Sequence, residues 1–216
     1  MFEHLRHWLR RAPALDDTRW VVLDVESSGL RPRQDRLLAI AAIAVHLRPD
    51  RPAIALGDSF EVVLRQSAQE AAPDKANILL HHIGVGAQRA GMAPAAALQA
   101  FEAYVGASPL IAFHAAFDRA MIERACRAVL GQVPRHAWLD LEPLAAVLHP
   151  AVRARSLDEW MAHFDIRCTV RHQAAADTLA TAEMLLKLWP ALTAHLARPG
   201  FRAVAALAAQ RRWVQS

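Results

Sequence analysis

One stretch constrains the chain more than any other: Val21-Val22-Leu23-Asp24-Val25-Glu26-Ser27-Ser28-Gly29-Leu30. Its apolar, β-branched opening followed by Ser-Ser-Gly reads as a short buried strand running into a turn. Strand side chains alternate faces, so Asp24 and Glu26 project to one side while Val25 points to the other. Two carboxylates on one face of a buried strand repel each other and lose hydration unless a positive group sits between them. A hard divalent cation meets that need, because carboxylate oxygens suit magnesium or manganese. An edge strand with a solvated polar face is the competing reading, and this stretch alone leaves both open.

The rest of the chain supplies elements to pack around that strand. Leu37 to Leu47 is almost continuously apolar, as in a strand buried on both faces. Ser59 to Leu64 reads as a third strand, and three strands this close imply an antiparallel meander. Strand and helix then alternate: a helix over Pro94–Tyr104, a strand over Pro109–Phe113, a helix over Phe117–Leu130 and a short strand at Trp138–Leu141. Ser156-Leu157-Asp158-Glu159 has the form of a capping box opening another helix. A long helix is expected from Gln173 to Leu188, ended by Pro190, with one more over Phe201–Trp213. The order predicts an α/β layered domain with a mixed sheet flanked by helices. Residues 18–190 form the main domain, 1–17 an amphipathic basic helix and 191–216 a helical extension.

Composition narrows the class. At 54% hydrophobic and 21% charged residues, a chain of 216 residues suits one ordinary domain with a substantial core. Of its 25 basic residues all but Lys75 and Lys187 are arginine, which suits bidentate phosphate contact, although a codon bias gives the same excess. Cys126 and Cys168 lack metal-ligand spacing and read as reduced cysteines. No apolar run reaches transmembrane length, and residues 1–8 carry no signal-peptide core, so no membrane association and a cytoplasmic location are expected.

Two further sites carry acids. In Ile111-Ala112-Phe113-His114-Ala115-Ala116-Phe117-Asp118 an acid follows a buried strand at the start of a helix. The positive end of the helix dipole is itself a sufficient reason for an acid there. In Val170-Arg171-His172-Gln173-Ala174-Ala175-Ala176-Asp177, His172 and Asp177 are too far apart to share a helical face. A His172 in the loop before the helix would instead reach the same cleft as Asp177. An acid among so many alanines needs a partner.

In order, these motifs resemble the DEDDh 3′–5′ exonucleases, which include the proofreading epsilon subunit of bacterial replicative polymerase, ribonuclease T and oligoribonuclease. Asp24-Val25-Glu26-Ser27-Ser28-Gly29-Leu30 is similar to the family's Asp-x-Glu-Thr-Thr-Gly-Leu, with Ser at both Thr positions. Leu80-His81-His82-Ile83 resembles Val-His-Gly-Ile, His114-Ala115-Ala116-Phe117-Asp118 resembles Asn-Ala-Ala-Phe-Asp, and His172 to Asp177 resembles His-x4-Asp. The resemblance spans roughly residues 20–190 and implies a ribonuclease H-like fold.

It also implies a chemistry. Asp24, Glu26, Asp118 and Asp177 would hold two divalent ions, Mg2+ or Mn2+, roughly 4 Å apart, with Glu26 bridging them, and His172 would act as general base. Ser27, Ser28 and Gly29 would approach the terminal 3′-hydroxyl, Leu30 and Phe117 the terminal base, and His81 its sugar or base. His114 stands where epsilon-like proteins carry Asn, which bears on substrate choice. The implied activity is release of nucleoside 5′-monophosphates from single-stranded or frayed DNA. Trimming of RNA 3′ ends or short oligoribonucleotides, or a non-catalytic nucleic-acid-binding or polymerase-accessory module, are the alternatives. The segment after residue 190 is short for a polymerase-tethering tail, so a stand-alone enzyme, or one recruited to a polymerase or repair partner through its N-terminal helix, is expected. Apolar helices leave a homodimer open.

Overall fold

The computed structural model describes residues 14–48, 51–67, 78–79, 81–168 and 170–211. The basic helix expected over the first residues therefore lies almost wholly outside the described residues, as does Leu80. Five strands form one sheet: β1 (Arg19–Ser27), β2 (Leu37–Leu47), β3 (Pro52–Val63), β4 (Leu110–Ala112) and β5 (Trp138–Asp140). Their order is β3-β2-β1-β4-β5. The first three make the expected antiparallel meander, and β4 and β5 run parallel to β1 and to each other. β1 is thus a central strand, which excludes the solvated-edge reading of its two acids. The third strand begins earlier than its β-branched end suggested, because the Pro52 start pairs with Leu47 and a bulge at Ile43/Ala44 absorbs the Leu56–Gly57 excursion.

Helices cover both faces. In chain order they are α1 (Val85–Ala90), α2 (Pro94–Val105), α3 (Ala116–Leu130), α4 (Leu141–Leu148), α5 (Leu157–Phe164), α6 (Ala174–His195) and α7 (Phe201–Ala209). Val21, Leu23 and Val25 of β1 pack with Leu98 and Phe101 of α2 and Met121 and Ile122 of α3. The alternate residues Trp20 and Val22 pack with α4 to α7. Asp24 and Glu26 continue that second row, so the alternation aims them at the α6 side. The capping box is formed as expected: Ser156 Oγ accepts Glu159 N–H at 3.2 Å and Glu159 Oε2 accepts Ser156 N–H at 2.9 Å.

Pro190 does not end α6, which runs on to His195. A proline removes one helical hydrogen bond, but Leu188 and Leu192 on either side are fully buried and hold the helix to the sheet. α7 is fastened to the start of β1 through Asp17, whose Oδ1 accepts Phe201 N–H at 2.7 Å and Trp20 Nε1–H at 3.1 Å. Trp20 meets Trp189 and Phe201 edge-on, with centroids 5.8 and 5.6 Å apart. At the β3 edge, Arg19 grips Asp58 with two 2.8 Å hydrogen bonds and gives a third to the buried Ser108 hydroxyl. No described helix is long and apolar enough to cross a membrane.

Candidate active site

The acids of β1 lie where the strand ends. Asp24 is paired in register with Ala41 and Glu26 with Ala39 of β2, and the pairing slips by a bulge between Glu26 and Ser27. Small alanines opposite both acids leave room above the sheet, and the bulge turns the chain out at once. α6 is tied to the same place: Thr178 Oγ1 donates to the Ala41 carbonyl at 3.3 Å. Its neighbour Asp177, buried in the first turn of α6, is thereby brought within electrostatic reach of Asp24. Asp118 arrives from the other face, on the first turn of α3, and its Oδ1 accepts Val25 N–H at 3.1 Å. Of the four acids only Asp24 keeps appreciable exposure.

His172 lies outside α6, in the turn before it, with a φ of 62°. Its backbone N–H donates to Asp177 Oδ2 at 3.1 Å, and its side chain stays exposed, close enough to influence Glu26 electrostatically. The left-handed turn thus resolves the five-residue spacing as expected. His81 also reaches the site, its Nδ1 in contact with Glu26 Oε2.

The remaining expected contacts divide. Ser27 Oγ donates to the Gly29 carbonyl at 2.6 Å, and Ser28 Oγ accepts Arg36 N–H at 2.8 Å. These hydroxyls shape the turn. Gly29 faces Asp35 so closely that a Cβ would lie 2.6 Å from its carboxylate, so a larger residue there would have to displace that side chain. Leu30 is 89% exposed at the tip. Phe117 packs in part against the α2–α3 core. His114, with φ 58°, has its N–H on Asp140 Oδ1 at 3.0 Å and its ring against Phe113, so it belongs to Asp140 rather than to the four acids. A cleft of about 730 Å³ beyond it, between α3, β5, α4 and α7, is lined by Asp140 but by none of the four.

Burial and neighbouring charges act on these acids together. Burial, then Asp118, Glu26 and Asp177, push the Asp24 carboxyl well above the usual range, against a smaller opposing pull from Arg171. Burial raises Glu26, and His81 works against it. Burial lifts Asp118 to about 8 despite its two backbone N–H partners. Glu26 Oε1 is buried with no hydrogen-bond partner. An all-oxygen donor set with mutual repulsion and an orphaned buried oxygen fits a hard divalent cation. Among the described residues no three such side chains are already gathered about one point. Two are engaged by protein side chains instead, Glu26 by His81 and Asp177 by the Arg171 guanidinium.

Sequence reasoning missed three neighbours. Arg171 contacts Asp177 and donates to Asp158 Oδ1 at 2.5 Å. Its place beside His172, six residues before the lone acid Asp177, was the available signal. Asp140 caps α4 through Glu142 N–H at 3.2 Å and raises Asp118. An acid closing a buried strand was the sign. Cys168 Sγ lies 3.9 Å from Asp177 Oδ1, and nothing in the sequence pointed to it.

The chain is similar in sequence and in fold to known proteins. The family model described as exonuclease, of the RNase T type, matches residues 21–185. The DNA polymerase III subunit epsilon-like protein of Rhodobacter capsulatus is 31% identical over 84% of this chain and 25% of its own length. The PolC-type DNA polymerase III of Bacillus subtilis is 28% identical over 81% of this chain and 12% of its own. The chain therefore spans only a quarter or less of these relatives. Exonuclease I superposes with a TM-score of 0.68 at 18% identity, over 80% of this chain and 41% of that one. The Escherichia coli exonuclease I complex with a dT13 oligonucleotide gives 0.66 at 20% identity, over 83% and 42%. At such identity these show the ribonuclease H-like fold. Motifs, fold and family model together make the chain a member of the DEDDh 3′–5′ exonuclease family.

Proposed function

We propose that the protein hydrolyses the terminal phosphodiester at the 3′ end of single-stranded or frayed DNA, releasing nucleoside 5′-monophosphates by a two-metal mechanism with His172 as base. The gathering of Asp24, Glu26, Asp118 and Asp177 at the end of a central strand, where burial and then the other three acids push the Asp24 carboxyl up, carries this reading. DNA is favoured as substrate because the relatives are DNA polymerase III proteins and exonuclease I is seen with DNA oligonucleotides. A replicative or repair polymerase is the corresponding partner class.

The four acids would hold two Mg2+ or Mn2+ ions, which supply Lewis-acid polarisation of the phosphate and ease ionisation of water. The protein's own groups do the rest. His172, exposed at the rim next to Glu26, takes the proton of the attacking water on an imidazole nitrogen and passes it to solvent. Water oxygen bonds to phosphorus, the bond to the 3′ oxygen of the preceding nucleotide breaks, and that oxygen takes up a proton from solvent. The Ser27–Leu30 turn, braced internally and against Arg36, offers a rigid edge to the terminal sugar. Exposed Leu30 offers apolar surface to the base.

Matched 5′-labelled single-stranded DNA and RNA, each with Mg2+, Mn2+ or EDTA, test this. The expected result is a metal-dependent ladder shortening from the 3′ end, faster on DNA and absent with Asp24→Ala/Glu26→Ala. A faster RNA ladder reassigns the substrate. No ladder from folded protein overturns the catalytic reading in favour of an accessory module.

A further inference from the structure

Arg171, which the proposed chemistry leaves unused, is a cation in direct contact with one of the four acids. Its guanidinium is three-quarters buried, at 23% side-chain exposure, between a nearly buried Asp177 and an exposed Asp158 on α5. It contacts Asp177 Oδ1 while the next residue's N–H holds Oδ2, so both oxygens of that carboxylate are engaged by one two-residue turn. Arg171 also opposes the upward shift of Asp24. Burial disfavours its charge, but the two carboxylates more than offset that and raise its pKa further. A charged side chain so placed is held by geometry rather than by solvent.

We propose that Arg171 is a positioning residue of this site, the internal counter-ion of Asp177 that Asp158 shares. The inference rests on the two-ion reading above. One consequence is mechanical: Arg171 anchors the left-handed turn to α5 and α6, which fixes where the His172 imidazole is presented. The other is electrostatic. A divalent cation approaching Asp177 competes with the guanidinium, and Asp158 sets the terms by drawing Arg171 towards α5. Loss of Arg171 frees Asp177 for metal but releases the base; loss of Asp158 leaves Arg171 to Asp177 alone.

Calorimetric titration with Mn2+, in the absence of nucleic acid, tests this on Arg171→Gln, Asp158→Asn and the double variant. Arg171→Gln should bind Mn2+ on the order of fivefold more tightly, and Asp158→Asn more weakly by a similar factor. Both changes also follow from net charge, so the double variant decides. If Asp158 acts through Arg171, Asp158→Asn has no effect in the Arg171→Gln background. Turnover at saturating Mn2+ should fall in Arg171→Gln, and Arg171→Lys should restore the metal affinity but only part of the rate. Equal weakening by Asp158→Asn in both backgrounds overturns the inference, as does weaker Mn2+ binding by folded Arg171→Gln. If the wild-type protein shows no Mn2+ binding that Asp24→Asn removes, the two-ion reading falls and takes this one with it.

Discussion

Asp118 Oδ1 accepts the backbone N–H of Val25 at 3.1 Å, across 93 residues of sequence. Val25 lies between Asp24 and Glu26, so this bond sets the first turn of α3 against β1 at the point where the two strand acids project. The bond satisfies a buried donor and fixes the third acid with it. It does so while keeping a carboxyl in surroundings that disfavour its charge.

That cost is measurable as pH dependence. Burial pushes the Asp118 carboxyl up to about 8, far above the ordinary 3.8 of an aspartate. Its contribution to stability is complete below about pH 4 and is lost as pH rises towards 8, because the unfolded chain ionises first. Asp24 and Glu26, both raised, act in the same direction. Thermal melts in EDTA should therefore show a lower Tm at pH 8 than at pH 5. Asp118→Asn keeps an acceptor for Val25 and should flatten that slope, raise the Tm at pH 8 and abolish turnover. A variant with the wild-type slope would show that Asp118 is charged in the folded protein.

The face on which Asp24 and Glu26 project was legible because a strand's period of two leaves no choice once the strand is buried. The meander, the capping box and the loop position of His172 were legible for similarly local reasons. Pro190 was not, since only tertiary packing of Leu188 and Leu192 carries a helix through a proline. Nor were α4 and α1, whose short runs have too few turns to show a period. Arg171 and Cys168 escaped because their significance lies in contacts with α5 and α6 that no spacing encodes.

His172 offers a separation of chemistry from folding. Its side chain is exposed, and only its backbone N–H is used to hold Asp177. His172→Ala should slow hydrolysis on the order of a hundredfold or more with Mn2+ affinity retained. His172→Gly should behave alike and be no less stable than the Ala variant, because the φ of 62° suits glycine. Single-turnover rates and melts on both variants check this, and a wild-type rate in either reassigns the base.

His81 controls how readily Glu26 ionises. Burial raises the Glu26 carboxyl, and contact with His81 is the largest influence in the opposite direction. Removing the imidazole in His81→Ala raises Glu26 further, so more of it is protonated at a given pH. The acidic limb of the pH–rate profile should then move to higher pH, with activity lost more severely at pH 6 than at pH 8. A profile displaced in rate but not in pH would show that His81 acts on the substrate instead.

Arg19 stands at the start of β1, the end opposite the acids, and tests stability alone. It holds Asp58 bidentately, donates to the buried Ser108 hydroxyl at 2.8 Å and lies 4.7 Å over the Tyr104 ring. Arg19→Ala leaves Ser108 without this donor and Asp58 with only His46, at a cost of about 1–3 kcal/mol. Arg19 is the chief reason that the Asp58 carboxyl is held down at about 2. A lowered folded pKa contributes stability above the unfolded value, and that contribution disappears as pH falls through the folded one. The gap in stability between wild type and Arg19→Ala should thus be full at pH 7 and narrow between about pH 4 and pH 2. Denaturant titrations at both ends of that range measure it. A gap that does not change with pH would place the whole effect in Ser108 and Tyr104 and none in the ion pair.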